Sequence, residues 1–242
     1  MSVARPVLVV QHEDECPPAW FGDWLADGGV PLDLRRAYAG DPLPEHLDEH
    51  AGLLVLGGAM GANDDIECPW LLPTKRLLAL AAGTGVPTLG ICLGHQLLAV
   101  ATGGRVDAHA AGRQCALLPV GWTTDASGDP LFGPLVRAGG YDQPVAVQWN
   151  VDVVTALPAG ATALAYAPGG ALQAMRVSAT SWGIQSHPEA GAGIVKVWVD
   201  GEGSVGEPEQ KLLAQVAPAD ERLQRAWQPL AGSFTALCAA SR

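Results

Sequence analysis

The sequence predicts an α/β protein with a mostly parallel central sheet that is flanked by helices and carries an added antiparallel section. In the first hundred residues, continuous apolar runs such as PVLVV and GLLVLG alternate with longer helical patterns. Runs of this kind are typical of strands that are buried on both faces of a parallel sheet. In the second half, short strand-like runs follow one another with turn residues between them, which indicates antiparallel pairing.

The first half is predicted to alternate strand and helix three times. The strands span residues 6–10, 52–57 and 86–92, and the helices span residues 17–27, 70–82 and 93–102. A glycine follows each of these helices, and glycine commonly ends helices because it adopts the left-handed conformation. The helices can therefore serve as the crossover connections that parallel strands require.

The second half supplies the antiparallel section, which is expected to extend the same sheet. Its predicted strands are CALLPV, PVAVQW, ATALAYA, LQAMRV and SWGIQS. Residues 200–207 (DGEGSVGE) are predicted to form a flexible connector before a closing helical segment at about 208–240. We expect residues 1–242 to form a single domain, with its functional motifs between about residues 5 and 199.

Composition and charge exclude several classes of protein. The net charge of −11 and the lack of a basic stripe argue against a nucleic-acid partner. No apolar run is long enough to cross a bilayer and no signal-peptide pattern opens the chain, so we expect no membrane partner and a cytoplasmic location. The five cysteines are dispersed without a CxxC pair, so we expect neither a disulfide framework nor a metal site, and we expect no cofactor.

The segment GICLG is the strongest candidate for a reactive site. A strand, then G-x-C-x-G, then a helix is the nucleophile-elbow pattern with cysteine in place of serine. Gly90 and Gly94 are expected to leave room for a sharp turn that lifts Cys92 off the sheet. At a helix N-terminus, the dipole and the free N–H groups favour the thiolate. A buried and inert cysteine is the alternative interpretation.

A nucleophilic cysteine needs a base, and two of the six histidines are candidates. His187 ends a predicted strand, and Pro188 favours an extended chain there, so that Glu189 can orient the imidazole as the acid of a triad does. An ordinary loop histidine is the alternative for this position. His95 is the rival base, because it lies three residues after Cys92 on the same helix. We favour His187, because a side chain one turn along the helix points away from the mouth of an elbow.

An acyl-transfer site also needs hydrogen-bond donors for a developing oxyanion. The backbone N–H of Leu93, at the start of the helix, is one expected donor. The second is expected at Gly57 and Gly58, where a buried strand ends and the backbone can approach a ligand closely. A plain glycine turn is the alternative interpretation. Neither GxxxxGK[ST] nor GxGxxG occurs in the chain, so nucleotide binding is not indicated.

One further motif imitates a metal site. His46, Glu49 and His50 match H-x-x-E-H, an inverted zinc-peptidase motif. That motif needs a long helix and a third ligand, whereas here a proline-rich turn precedes it and a strand begins at Gly52. We therefore expect a short solvated helix at this position and no zinc.

With GGAMG, GICLGHQ and SHPE in this order, the chain resembles the class I, triad-type glutamine amidotransferases. It is most similar to their stand-alone branch, which resembles the amidotransferase domain of GMP synthase, and the resemblance runs from the first strand to about residue 199. The resemblance implies that family's flavodoxin-like fold. It also implies that Cys92 attacks the side-chain carboxamide of glutamine, that His187 passes the proton to ammonia, and that Glu189 orients His187.

The resemblance implies further contacts with the substrate. The N–H groups of Gly58 and Leu93 would hold the oxyanion, and Gln96, which completes the family pattern GxCxGxQ, would position glutamine. Asn150 in VQWNVD takes the place of a histidine in a stretch that usually reads WHxD. That stretch lies near the α-amino and α-carboxylate groups of glutamine, so Asn150 is a further candidate for substrate binding.

Three functions remain open at this point. The first is hydrolysis of glutamine to glutamate and ammonia, with the ammonia passed to a separate synthetase. The second is hydrolysis of another γ-glutamyl amide on the same scaffold, which the change to Asn150 keeps open. The third is a non-catalytic regulatory module, which the complete set of cysteine, histidine and glutamate argues against.

Overall fold

The computed structural model describes residues 5–139, 144–201 and 206–241. Its strands are Val7–Gln11 (β1), Leu32–Arg36 (β2), Gly52–Val55 (β3), Thr88–Ile91 (β4), Arg105–Ala108 (β5), Gln114–Pro119 (β6), Gly121–Trp122 (β7), Val145–Asn150 (β8), Asp152–Ala156 (β9), Thr162–Tyr166 (β10), Leu172–Ser178 (β11) and Ser181–Ile184 (β12). Its α-helices are Ala19–Asp27 (α1), Leu71–Thr84 (α2), Leu93–Ala101 (α3), Gly133–Gly139 (α4), Ala192–Gly201 (α5), Glu207–Val216 (α6) and Asp220–Ala240 (α7).

Eight strands form one central sheet in the order β2-β1-β3-β4-β12-β11-β10-β7. The first five strands are parallel, and β11, β10 and β7 continue the sheet by antiparallel pairing. The predicted fold class is confirmed, including the antiparallel section. Every residue of β1, β3, β4 and β12 is buried, because helices cover both faces of the parallel region and remove its continuous apolar strands from water.

Two of the predicted strands do not extend the central sheet. CALLPV and PVAVQW pair with each other as the separate ribbon β6–β8, and a second ribbon joins β5 to β9. The expectation that they would extend the sheet was wrong, because the short strand β7 already occupies the sheet edge beside β10 and the ribbon packs against α6 instead. The closing helical segment is present as α6 and α7. Residues 202–205 of the predicted connector lie outside the described residues.

The sheet separates two apolar cores. One lies against α1, α5 and α7 and contains the fully buried rings of Phe21, Trp227 and Phe234. The other lies against α2 and α3 and contains Leu78 and Leu97. Each such side chain contributes roughly 1.5–3 kcal/mol on burial, so the sheet is anchored from both sides. No helix in the described residues combines the length and the apolar character that crossing a membrane requires.

The contact between α3 and the sheet is unusually close at Gly94. The backbone N–H of Gly94 donates to the carbonyl oxygen of Leu56 at 3.1 Å. A Cβ atom on Gly94 would lie 2.1 Å from the carbonyl oxygen of Val55, which is less than any real contact of this kind. The first turn of α3 therefore rests directly on the end of β3, and it can do so only because residue 94 lacks a side chain.

We predict that Gly94→Ala lowers the free energy of unfolding by about 3 kcal/mol or more, because backbone atoms of α3 or β3 must move to admit the methyl group. Gly83→Ala is the matched control, since a Cβ there meets no atom within 4 Å. That substitution in a helix should raise the free energy of unfolding by about 0.4–1 kcal/mol. Urea unfolding of the two variants and the parent chain measures both effects, and equal stability of the two variants would contradict the prediction.

Candidate active site

Cys92 occupies a tight turn between β4 and α3. Its φ is 52° and its ψ is −106°, and Ala19 is the only other non-glycine residue with positive φ among the described residues. Such a conformation costs a non-glycine residue roughly 1–3 kcal/mol and persists only where the surroundings impose it. Here they do, because a Cβ on Gly90 would lie 2.3 Å from the carbonyl oxygen of Gly94. Gly90 and Gly94 therefore make room for the turn, as the sequence predicts.

The sulfur of Cys92 lies among polar groups at the carboxyl end of the sheet. The side-chain nitrogen Nε2 of Gln185 lies 3.6 Å from Sγ, and the carbonyl oxygen of Trp149 lies 3.9 Å from it. Gln96 fixes the orientation of Gln185, since its own Nε2 donates to Oε1 of Gln185 at 3.1 Å. An N–H donor directed at sulfur stabilises negative charge there. Sequence reasoning missed Gln185, although its place two residues before His187 at the end of β12 was a usable signal.

His187 and Glu189 form a buried pair next to Cys92. Nδ1 of His187 and Oε1 of Glu189 are 2.6 Å apart, and both residues are almost completely buried. The pairing places a proton on Nδ1 and directs Nε2 away from the carboxylate. Nε2 is buried and has no hydrogen-bond partner within the described residues. The free nitrogen of His187 is thus available to a group that enters from outside.

His187 and His95 have opposite electrostatic environments. Burial works to lower the pKa of His187, but the charges of Cys92 and Glu189 outweigh it and hold that pKa well above its usual value. Burial lowers the pKa of His95 to about 3, and His95 lies beneath the turn, where a Cβ on Gly183 would come within 2.4 Å of its Nδ1. His95 does not line the cavity at Cys92, whereas His187 does.

Gly57, Gly58 and Leu93 lie around the reactive sulfur. A Cβ on Gly57 would be 3.1 Å from Cε1 of His187 and 3.6 Å from Cβ of Cys92, so this glycine leaves the space between the two side chains open. Gly58 lines the cavity. In the part of the chain that the structure describes, the backbone N–H groups of Gly58 and Leu93 donate to no backbone carbonyl. Both remain available as donors to a bound group.

Gln96 and Asn150 line the same cavity. The amide nitrogen of Gln96 donates to the carbonyl oxygen of Asp152 at 2.9 Å. The amide nitrogen of Asn150 donates to the same carbonyl oxygen at 3.1 Å and to Oε1 of Gln114 at 3.3 Å. Oδ1 of Asn150 is buried and has no partner in the described residues. Asn150 therefore carries an unpaired acceptor beside the cavity, which an N–H donor could satisfy.

The cavity above Cys92 has a volume of about 280 Å³. Its lining includes Glu13, Cys16, Arg113, Trp149 and Trp198, none of which was predicted from the sequence. Cys16 donates to Oε1 of Glu13 at 3.0 Å, and burial together with the charge of Glu13 raises the pKa of the Cys16 thiol. Glu13 and Cys16 follow β1, and the position of this loop at the carboxyl end of a parallel strand was the signal for them.

The H-x-x-E-H motif does not form a metal site in the structure. Residues 45–49 form bends and a turn, so the expected short helix was wrong, since Pro42 and Pro44 hold the chain extended up to the turn. His50 is buried, with Nε2 3.0 Å from Oδ2 of Asp33. Within the described residues, no three histidine, cysteine, aspartate or glutamate side chains gather closely enough to hold a metal ion.

A comparison with protein families assigns this chain. The family model described as "Glutamine amidotransferase class-I" matches residues 29–195, which include the turn at Cys92 and the pair His187 and Glu189. The chain belongs to the class-I glutamine amidotransferase family. A crystal structure of a glutamine amidotransferase from Methylobacillus flagellatus has the same fold, with a TM-score of 0.82 and 26% identity over 96% of this chain and 95% of that one.

Three relatives within the glutamine amidotransferase family carry names of two kinds: a peptidase and a hydrolase of γ-glutamyl compounds, and a glutamine-hydrolysing synthase subunit. Gamma-glutamyl peptidase 5 of Arabidopsis thaliana is 26% identical over 88% of this chain and 85% of its own. A gamma-glutamyl-L-1-hydroxyisopropylamide hydrolase of a Pseudomonas species is 34% identical over 72% of this chain and 59% of its own. A glutamine-hydrolysing GMP synthase subunit from Halobacterium salinarum is 36% identical over 66% of this chain and 76% of its own.

The buried His95 predicts an acid-sensitive fold for this family member. Its pKa is about 3 in the folded protein and about 6.5 when unfolded, so between these values only the unfolded chain binds the proton. Stability is therefore unaffected by His95 above pH 6.5 and falls as the pH decreases, by up to about 1.4 kcal/mol per pH unit. We predict that His95→Gln reduces this slope in urea unfolding measured from pH 7 to pH 4.

The exposed His46 provides the matched control for that measurement. His46→Gln should leave the pH dependence of unfolding as it is in the parent chain. A His95→Gln variant that keeps the full slope would show that other groups, such as the buried His12, whose pKa burial lowers to about 4, account for the acid sensitivity.

Proposed function

We propose that this protein hydrolyses the γ-amide bond of glutamine or of another γ-glutamyl compound through a thioester on Cys92. The observation that carries the proposal is the arrangement at the ends of two neighbouring strands. Cys92 follows β4 and leads into α3, and His187 follows β12 with its Nδ1 2.6 Å from Glu189. A nucleophile, a base and a group that orients the base are the parts that nucleophilic acyl transfer needs.

The proposed reaction has two steps. In the first, the Cys92 thiol gives its proton to His187 and the sulfur attacks the γ-carbonyl carbon; His187 then transfers that proton to the amide nitrogen, the C–N bond breaks and the amine leaves. In the second, His187 takes a proton from water, the resulting oxygen attacks the thioester carbon, the C–S bond breaks and His187 returns the proton to the sulfur. The products are the amine and glutamate, and the thiol and imidazole are restored. The raised pKa of His187 suits an imidazole that carries the proton before it reaches the leaving amine.

Gly58 and Leu93 are proposed as the oxyanion donors of this reaction. Each tetrahedral intermediate places a negative charge on the former carbonyl oxygen, and preorganised N–H groups stabilise it. The N–H of Leu93 opens α3, where the helix dipole adds to the effect. The N–H of Gly58 comes from the loop that follows β3, and both groups lack a backbone acceptor in the described residues.

Gln96 and Asn150 are proposed to bind the γ-glutamyl half of the substrate. Their nitrogen atoms donate within the protein, which leaves the side-chain oxygen atoms as the groups proposed to accept from the ligand. Asp152 adds a carboxylate to the same end of the cavity. Oxygen acceptors beside a carboxylate suit the α-ammonium group of glutamine or of a γ-glutamyl compound.

The two kinds of relative correspond to two fates of the leaving group. If the substrate is glutamine, ammonia leaves, and we propose that a separate synthetase accepts it. If the substrate is a γ-glutamyl amide, a larger amine leaves and no partner is required. The high mutual coverage with the peptidase from Arabidopsis thaliana supports the second possibility.

We predict that Cys92→Ala abolishes glutamate release and that His187→Ala lowers it by about 10²–10⁴-fold, because general base catalysis contributes on that order. His95→Gln is the control and should keep most of the activity, since His95 lies beneath the turn outside the cavity. Release of glutamate from glutamine and from γ-glutamyl amides is measured for each variant. Inactivation by His95→Gln with activity retained in His187→Ala would overturn the choice of base.

A second readout covers the case in which turnover requires a partner. A chloroketone analogue of glutamine should alkylate Cys92 in the isolated chain, as identified by mass spectrometry of the peptides, and Cys92→Ala should abolish this labelling. If no substrate yields glutamate and Cys92 is also unlabelled, the proposed function is wrong.

A further inference from the structure

Three flat side chains continue from His187 along one side of the cavity. The ring centroids of His187 and Trp198 are 4.6 Å apart, and those of Trp198 and Trp149 are 5.5 Å apart. The guanidinium carbon of Arg113 lies 4.6 Å from the centroid of Trp149. We name Arg113, Trp149 and Trp198 the cavity wall, and all three line the cavity above Cys92. The cavity wall begins beside His187, the proposed proton donor to the leaving amine, and ends at the guanidinium of Arg113.

The cavity wall lies apart from the residues proposed to bind the γ-glutamyl half. On β8, Trp149 and Asn150 are consecutive, so their side chains point to opposite faces of the β6–β8 ribbon. Asn150 faces Gln114, its partner across the ribbon, whereas Trp149 faces Arg113 and Trp198. A substrate whose scissile bond lies at Cys92 therefore has its γ-glutamyl half towards Asn150 and its leaving half towards the wall.

Contacts with Glu209 and Trp149 hold the side chain of Arg113 in position. Its Nη1 lies 3.1 Å from Oε1 of Glu209 on α6, and Glu209 is buried. The ring of Trp149 supports the planar face of the guanidinium. Arg113 is therefore held in place while its side chain remains 31% exposed at the cavity.

We infer that the cavity wall is a leaving-group subsite and that Arg113 selects substrates whose leaving amine carries a carboxylate. The substrates of this class are γ-glutamyl amino acids and short γ-glutamyl peptides. This inference rests on the proposed function, since it names the amine that departs when the γ-amide C–N bond breaks and His187 supplies the proton. The product is then a free amino acid or peptide, whose carboxylate the Arg113 guanidinium contacts by a charge-assisted interaction.

Glu13 identifies the competing possibility. Its carboxylate also lines the cavity and accepts a hydrogen bond from Cys16, so a cationic leaving amine would find its counter-charge there. We favour the carboxylate because Arg113 stands at the end of a continuous wall that begins at His187, whereas Glu13 belongs to the loop after β1.

The decisive comparison uses γ-glutamylglycine and γ-glutamylglycinamide, which differ only in the terminal carboxylate. We expect kcat/KM for γ-glutamylglycine to exceed that for the amide by about tenfold to a hundredfold, the range of a charge-assisted hydrogen bond. In Arg113→Gln this ratio should fall to near one. Arg225→Gln is the matched control, because Arg225 is an exposed arginine on α7 paired with Glu221, and it should leave the ratio at its original value.

The outcomes separate this inference from the proposed function. If glutamine and both dipeptide analogues yield no glutamate and Cys92 is not alkylated, the proposed function itself fails. If both analogues are cleaved with equal kcat/KM, or if Arg113→Gln leaves a preference intact, the inference is wrong while the proposed function stands. A preference for γ-glutamyl-1,2-diaminoethane that disappears in Glu13→Gln would overturn it in favour of a cationic leaving group.

Discussion

The close backbone contact at the turn of Gly90, Cys92 and Gly94 is the constraint on which the rest of the site depends. Glycine at 90 and 94 allows α3 to begin within van der Waals contact of β3 and β4. This contact forces Cys92 into a positive φ and turns its sulfur towards the carboxyl edge of the sheet. It also brings the loop after β3 beside the sulfur, so that Gly57 and Gly58 border the same space. A single additional methyl group at Gly90 or Gly94 would separate the sulfur of Cys92 from the loop after β3, which the proposed reaction needs together.

Strand order then brings His187, the proposed base, to Cys92, the proposed nucleophile. Because β4 and β12 are parallel neighbours with Ile91 opposite Ile184, the residues that follow the two strands emerge at the same edge. The N–H of Cys92 donates to the carbonyl oxygen of Ile184 at 2.8 Å, which ties the two ends together. The ribbon β6–β8 is attached in turn through the N–H of His187, which donates to Val147 at 2.9 Å. The cavity is therefore enclosed by elements that are distant along the chain but joined through hydrogen bonds to these two strand ends.

The sequence was sufficient for those parts of the molecule that depend on local patterns. Buried parallel strands read as continuous apolar runs, and the glycines around Cys92 have no other steric explanation, so the α/β fold and the turn at Cys92 could be predicted. The pairing of the antiparallel strands could not be predicted, because the partly apolar strands β6 and β8 can pair with each other as well as with a sheet edge. The cavity wall was also beyond reach, since Arg113, Trp149 and Trp198 come from three elements and meet only after the ribbon folds over the sheet.

The two buried histidines show why a site of this kind requires neighbours as well as burial. Both rings are removed from water, which by itself favours the neutral form. Among the described residues no carboxylate charge offsets the burial of His95, so its pKa falls to about 3 and the ring packs against Gly183. His187 has Glu189 and Cys92 beside it, and their negative charge reverses the effect of burial. A raised pKa on His187 is what the proposed transfer of a proton to a leaving amine requires. His95 is closer to Cys92 along the chain, but the negative charges beside His187 favour His187 as the proposed base.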